Sequence, residues 1–419
     1  MPTTPSLSES TKTWAKIGIL SFGGPAAQIA LMHREIVNDK KWISENQFLN
    51  ALNFCMLLPG PEAMQLATYA GWRINGVLGG LIAGLLFVLP GAFIIALLAT
   101  IYAFFGNVPI VNALFLGVKA TVVVIVIEAL LRVSKKALQL NAHYWIAVFA
   151  FIAIFFLNLP YPLIILTAAA IGFFEKNQSN EVALAPLQPF IQTLRTIGIW
   201  LIIWWLPVLI IDWVFELSFL SQIAFFFSKL AVVTFGGAYA VLAYMAQDVV
   251  TAKEWLSAGQ MMDGLGLAET TPGPLILVTE FVGFMAGFKE AGIAMAFAAA
   301  TLTLWVTFAP CFLWIFAGAP YIEWIGAQPR LRSALTYVTA AVVGVILNLS
   351  IWFAIHVFFA SVHKIEFGPI TILNPELTSL NWVVVSLSIL SAFLLLRRHW
   401  NVIYVLFTCA LLACFSLLF

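Results

Sequence analysis

Apolar runs too long for the interior of a soluble domain recur along the whole chain. Gly79 to Phe105, Val108 to Leu131, Phe190 to Ile211, Ala291 to Phe316 and Val338 to Phe359 reach or exceed the roughly 20 residues that carry a helix across a bilayer. Val383 to Leu396 is a shorter run of the same kind. Charged residues make up only 9% of the 419 residues, against about 25% in soluble domains. That is too few to cover a soluble surface but enough for loops between helices in lipid. The sequence therefore predicts an all-α polytopic membrane protein, with the lipid bilayer as its first partner.

A net charge of +1 gives no hint of a nucleic-acid partner. Cys55, Cys311, Cys409 and Cys414 sit in apolar surroundings and read as buried thiols, not as a disulfide framework or a zinc site. Residues 1 to 13 are polar, and no short apolar core with a cleavage site follows. The first hydrophobic segment is thus expected to serve as an uncleaved insertion signal.

The chain contains two copies of one unit. A shift of 213 residues places Phe22-Gly23-Gly24 on Phe235-Gly236-Gly237 and Pro59-Gly60-Pro61 on Pro272-Gly273-Pro274. Without a gap, 15 of the 40 positions from Phe22 to Pro61 are identical, Trp42/Trp255, Ser44/Ser257 and Gln47/Gln260 among them. The expected organisation is an N-terminal transporter repeat over 1–174, a polar linker over 175–189, a connecting transmembrane segment over 190–220 and a C-terminal repeat over 221–419. Cytoplasmic loops are enriched in Lys and Arg. Arg34, Lys40 and Lys41 follow the first segment of half one, where half two has Lys253 beside Asp248 and Glu254. After the third segment the imbalance reverses, with Gly106-Asn107-Val108 against Arg330 and Arg332. The halves are read as inverted-topology repeats.

Basic residues on both sides of 46–72 then require that segment to enter and leave by one face, as a re-entrant hairpin with Pro59-Gly60-Pro61 at its tip. Proline removes an amide donor and glycine permits the turn. Irregular backbone survives at membrane depth only where protein or water satisfies it. The Gly-Gly segments, Lys16 to Val37 and Lys229 to Val250, read either as hairpins or as broken spanning helices.

Opened helices expose amides and a partial positive charge, so paired breaks from inverted repeats suit an anion near the midplane. On this reading Phe22, Gly23, Gly24, Pro59, Gly60, Pro61 and Gln65 line the site. Phe235, Gly236, Gly237, Thr270, Thr271, Pro272, Gly273 and Pro274 complete it. The alternative is that these residues only kink and pack helices, the reading that fits Gly76, Gly79, Gly80 and Gly84. Lys119, inside the run Leu116 to Ile127, and Arg73 are candidate anion ligands; snorkelling and topology anchoring are their structural alternatives. Glu62 and Glu269 are candidate proton carriers, since burial raises a carboxyl pKa, or else helix caps. Lys229, Glu128 and Glu280 stay outside this set. Neither a Walker A motif nor Gly-x-Ser-x-Gly nor His-Glu-x-x-His occurs, the five histidines have no metal-ligand spacing, and no cofactor is expected. The chain reads as a carrier and not as an enzyme.

Phe22-Gly23-Gly24-Pro25-Ala26-Ala27, Leu58-Pro59-Gly60-Pro61, Gly71-Trp72-Arg73, Phe235-Gly236-Gly237 and Thr271-Pro272-Gly273-Pro274 together resemble the signatures of the chromate ion transporter family, in its long two-domain form. The resemblance implies export of chromate from the bacterial cytoplasm through the inner membrane by a secondary mechanism, giving chromate resistance, with sulfate as a related oxyanion. Sulfate uptake or exchange, an anion channel and a homodimeric assembly are compatible with the same residues. Ala238 and Leu275 stand where half one has Pro25 and Glu62, so the halves are not equivalent.

Overall fold

A computed structural model describes residues 5–175, 190–215, 218–235, 238–322, 328–368 and 370–416. In chain order the helices are α1 (Leu7–Leu20), α2 (Gly24–His33), α3 (Glu45–Cys55), α4 (Glu62–Phe105), α5 (Pro109–Ala137), α6 (Asn141–Phe155), α7 (Tyr161–Phe174) and α8 (Phe190–Phe215). They continue as α9 (Ser218–Val233), α10 (Ala238–Gln247), α11 (Ala258–Thr270), α12 (Val278–Gly318), α13 (Pro329–Phe358), α14 (Trp382–Ala392) and α15 (Val402–Phe415). Five helical stretches are long and apolar enough to cross a membrane. The fold is that of an all-α polytopic membrane protein.

Two compact units form, each from non-adjacent stretches. The first takes Met1–Ala99, Gln178–Ala238 and Thr271–Pro329; the second takes Thr100–Asn177, Tyr239–Thr270 and Arg330–Phe419. Each unit therefore draws on both sequence halves. The 190–220 segment, with α8 in it, falls in the first unit. Of the polar run 175–189, all but Glu175 lies outside the described residues.

In the first unit, the Ser6 hydroxyl caps α1 by accepting from the Glu9 amide. The helix stops at Ser21-Phe22-Gly23, where Gly23 and Gly24 take φ of 86° and 78°, a conformation open chiefly to glycine. The chain then runs back. Lys16 Nζ lies 2.6 Å from Glu35 Oε1 and Lys40 Nζ 3.0 Å from Glu9 Oε1, whereas a straight helix would hold residues 16 and 35 about 28 Å apart.

A capping box of Ser44 and Gln47 opens α3, and Pro59-Gly60-Pro61 separates it from α4. The 44 residues of α4 are not one rod. Asn75 and Gly76 leave helical geometry, and Gly71 packs against Gly79 and Ala83 across the break. Helix α4 is thus two antiparallel limbs joined at Gly76. The ends of the excursion 44–75 lie together: Lys40 reaches Glu9, and Asn75 Nδ2 donates to Pro5 O at 3.1 Å. Helix α12 breaks in the same way at Ala291 and Gly292, with Gly287 against Met295 and Ala299 and Gly283 against Thr303. The two glycine breaks share nearly one geometry, φ 66° and ψ −160° at Gly76, φ 76° and ψ −161° at Gly292.

Local structure recurs elsewhere at the sequence offset. Arg34–Asp39 and Asp248–Ala252 are both π-helical, Lys41 and Glu254 both have φ 52°, and Ser257 and Gln260 repeat the hydrogen bonds of Ser44 and Gln47.

In the second unit α5 is the central helix, packed by α11, α14 and α15. Glycines let the backbones approach: Gly117 abuts Cys409, and Gly266 abuts Val118. No sequence signal anticipated the one β-hairpin among the described residues, β1 (Val362–Phe367) with β2 (Ile370–Pro375). It sits on the loop after α6, where Thr371 N donates to Phe156 O at 2.9 Å and Asn158 Nδ2 donates to Thr371 Oγ1 at 2.8 Å.

Candidate functional site

The two Pro-Gly-Pro loops are buried in the first unit, and each is tied to the Phe-Gly-Gly motif of the opposite sequence half. Gly60 N donates to Thr234 O at 2.8 Å, while Gly273 N donates to Ser21 O at 3.0 Å. Thr234 and Ser21 are themselves 213 residues apart, each directly before its Phe-Gly-Gly. Half one therefore contacts half two by the same pair of positions through which half two contacts half one. The glycines are obligatory, with φ of 117° at Gly60 and 89° at Gly273. Their amides would otherwise be orphaned among proline neighbours that donate nothing.

Side chains fix the loops further, and they do so unequally. Gln28 is buried and its Nε2 donates to Gly273 O at 2.7 Å and to Ser21 O at 3.2 Å. Gln65 is fully buried, with Nε2 donating to Pro59 O at 2.7 Å and Oε1 enclosed without a hydrogen-bond partner. At the matching positions of half two stand Val241 and, at the offset of 216 set by the paired breaks, Phe281. Phe22 is half-buried beside Gly23 and Gly24, and a Cβ on Gly24 would meet nothing within 4 Å. Space thus lies next to the start of α2, where first-turn amides have no intrahelical acceptor. From Glu9 to Ser21 is about 18 Å of helix.

Phe22, Gly23, Gly24, Pro59, Gly60, Pro61, Gln65, Phe235, Thr271, Pro272, Gly273 and Pro274 all belong to the first unit. Gly236 and Gly237 lie outside the described residues. Glu62 opens α4 half-buried, the position of an acid at a helix start. Arg73 is exposed near the Gly76 turn, about 18 Å along the limb from Pro61. A cleft of about 340 Å³ at that end, between Trp72, Val77, Thr196, Trp200 and Phe316, is lined by no charged residue.

Lys119, Glu269 and Thr270 belong to the second unit. Lys119 Nζ lies 3.1 Å from Asp263 Oδ1, and Tyr102 Oη donates to Asp263 Oδ2 at 2.7 Å. The ammonium charge of Lys119 is thus matched within the fold. Glu269 is buried and accepts from Tyr239 Oη at 2.8 Å, while Thr270 Oγ1 donates back to Leu267 O.

Sequence reasoning missed Ser21, Thr234, Gln28, Tyr102, Tyr239 and Asp263. The hydroxyl residues before both Phe-Gly-Gly motifs were visible at the repeat offset. An acid flanked by Met261, Met262 and Leu265 met the criterion for an intramembrane ionisable residue. Gln28 carried no such signal, because its role depends on a partner 245 residues away.

Comparison with known proteins agrees with this architecture. The family model described as "Chromate transporter" matches residues 9–173 and 221–414. The "Chromate transport protein" of Pseudomonas aeruginosa is 32% identical over 347 residues, covering 79% of this chain and 77% of that one. Its namesake from Cupriavidus metallidurans is 29% identical over 79% of this chain and 78% of its own length. The "Probable chromate transport protein" of Synechococcus elongatus is 30% identical over 81% and 83%. No solved structure matches this chain. With both halves matched and the relatives covered over most of their length, this multi-pass membrane protein belongs to the chromate transporter family.

Proposed function

We propose that the chain is a secondary active transporter that exports chromate across the bacterial inner membrane, with the Pro-Gly-Pro and Phe-Gly-Gly loops as its oxyanion site. The reciprocal pairing of Gly60 with Thr234 and Gly273 with Ser21 carries this reading. Reciprocity of that kind is what a two-fold relation between halves produces, and inverted repeats of carriers place their broken helices at a shared midplane site. Glycine backbone and helix starts supply amide donors suited to tetrahedral dianions, so sulfate is the expected competitor. Membership of the family supports chromate as the cargo.

Within the site, Gln65 and Gln28 hold the loops, while Gly23 and Gly24, beside open space at the start of α2, offer backbone to the ligand. The excursion 44–75 acts as the re-entrant hairpin of half one. Arg73, at its exposed end, draws the anion in without touching it at the junction. Chromium content of cells challenged with chromate tests cargo and direction together. Expression of the chain lowers cellular chromium relative to an empty-vector control. A rise would keep the cargo and reverse the direction, and no change in a well-expressed protein would remove chromate as cargo.

A further inference from the structure

Four carboxylates are buried among the described residues, and three have partners. Glu35 pairs with Lys16, Asp263 lies against Lys119 and Tyr102, and Glu269 accepts from Tyr239. Glu280, near the start of α12, has none: it is 3% exposed, forms no ion pair, and its Oε2 is enclosed without a hydrogen-bond partner.

The other limb of the α12 hairpin carries two further unmatched oxygens. Gly287 faces Met295 and Ala299, and Gly283, one turn earlier, faces Ala299 and Thr303. Continued one turn earlier, that register sets Glu280 opposite the turn of Thr303 and Thr307, without a hydrogen bond to either hydroxyl. Both threonines are buried, and both hydroxyls lack a partner. This departs from the usual habit of helical threonine, which donates to a carbonyl of the preceding turn, as Thr68, Thr121 and Thr279 do. At the offset of 216 set by the paired breaks, the corresponding residues of half one are Met64, Phe87 and Gly91. The acid and its two hydroxyls thus occur once per chain.

We propose that Glu280 is the proton-binding carboxyl of this carrier, taking up one proton from one side of the membrane and releasing it to the other. The inference rests on the transporter reading above. A proton from water joins a carboxylate oxygen; the resulting O–H donates to a threonine oxygen while a threonine hydroxyl donates to the remaining carboxyl oxygen. The neutral state thereby fills hydrogen bonds that the fold leaves open, and the charged state calls for water or a moved cation. Charged groups on the helices packed around α12 are Arg195 and Asp212 on α8, Lys229 on α9, Glu62 and Arg73 on α4, and Glu45 on α3; none pairs with Glu280, and Lys289 and Glu290 of α12 itself lie at the Gly292 turn. Cys311, a turn beyond Thr307, donates weakly to the Thr307 carbonyl and adds no charge.

The purified full-length chain in detergent, titrated by infrared difference spectroscopy, tests the assignment without reference to cargo. A carboxylic acid C=O band that titrates and disappears in Glu280→Gln is expected, shifted in frequency in Thr303→Val and Thr307→Val. In proteoliposomes, Glu280→Gln should lose pH-gradient-driven chromate accumulation while keeping chromate exchange at equal pH. A titrating band that persists unchanged in Glu280→Gln overturns the assignment, as does retained gradient-driven accumulation. Should Glu280→Gln fail to fold, the two threonine variants decide: unshifted bands in both overturn it. If the wild type moves no chromate, the cargo reading fails and the infrared result still stands.

Discussion

Gly273→Leu abolishes oxyanion movement while the protein still inserts and purifies as a single species, and Gly60→Leu does the same. At φ 89° and 117° a side chain strains the backbone, on the order of 1–3 kcal/mol for a residue held in a sparsely populated region. A Cβ on Gly273 would stand 2.9 Å from Leu277 Cδ1 and 3.4 Å from Phe87 O; on Gly60 it would stand 2.8 Å from Gln65 Nε2 and 2.9 Å from Cys311 Sγ. The remainder of leucine must then push the loop off its partner, breaking the hydrogen bond that the glycine N–H donates to Ser21 O or Thr234 O. A loop destabilised by about 1.4 kcal/mol or more is tenfold less populated in its working form. The spanning helices bury their own apolar faces independently of these amides, so insertion survives. Initial rates of chromate flux, normalised to protein in the membrane, check this. Wild-type flux from a well-expressed Gly273→Leu protein would remove the loops from the site.

Lys119→Met and Asp263→Asn each destabilise the second unit, and the double variant recovers most of the loss. Lys119 Nζ is 3.1 Å from Asp263 Oδ1, with Asp263 6% exposed and Lys119 20% exposed. Removing the lysine leaves a buried carboxylate with Tyr102 as its one remaining donor; such breaks cost about 3–5 kcal/mol when fully buried. The partial exposure of Lys119 puts this pair at the low end of that range. Replacing both partners removes the uncompensated charge and costs far less. Thermal denaturation in detergent, followed by size-exclusion fluorescence, reads the cycle. Additive losses in the double variant would mean that the two side chains do not act on each other. Recovery would mean that Lys119 is held by Asp263 and brings no spare charge to an oxyanion.

The membrane class, the helical content and both loop motifs were legible in the sequence, because each depends on local composition or on self-similarity. Apolar runs reveal spans, and Pro-Gly-Pro ends helices wherever it stands. What the offset of 213 could not reveal is which copy each motif would meet. Gly60 could have bonded within its own half; instead it bonds Thr234, and the choice rests on tertiary placement. The reversals at Gly76 and Gly292 were hidden for a related reason. Gly76, Gly79 and Gly80 read as packing glycines, yet Gly76 turns the chain back and Gly71 and Gly79 only then touch. Lys119 and Glu269 looked free in the sequence because their partners Asp263 and Tyr239 lie well away along the chain. Glu280 stayed outside the candidate set because its surroundings in the sequence are ambiguous, and its burial shows only in the fold, where Glu62 is half-buried.

Chromate accumulation in everted inner-membrane vesicles, with and without a proton gradient and with excess sulfate as competitor, addresses the proposal at its root. Energised, sulfate-inhibited accumulation that exceeds control vesicles is what an exporter with a tetrahedral-dianion site must give. Vesicles rich in the protein that take up no more chromate than controls, energised or not, would contradict it.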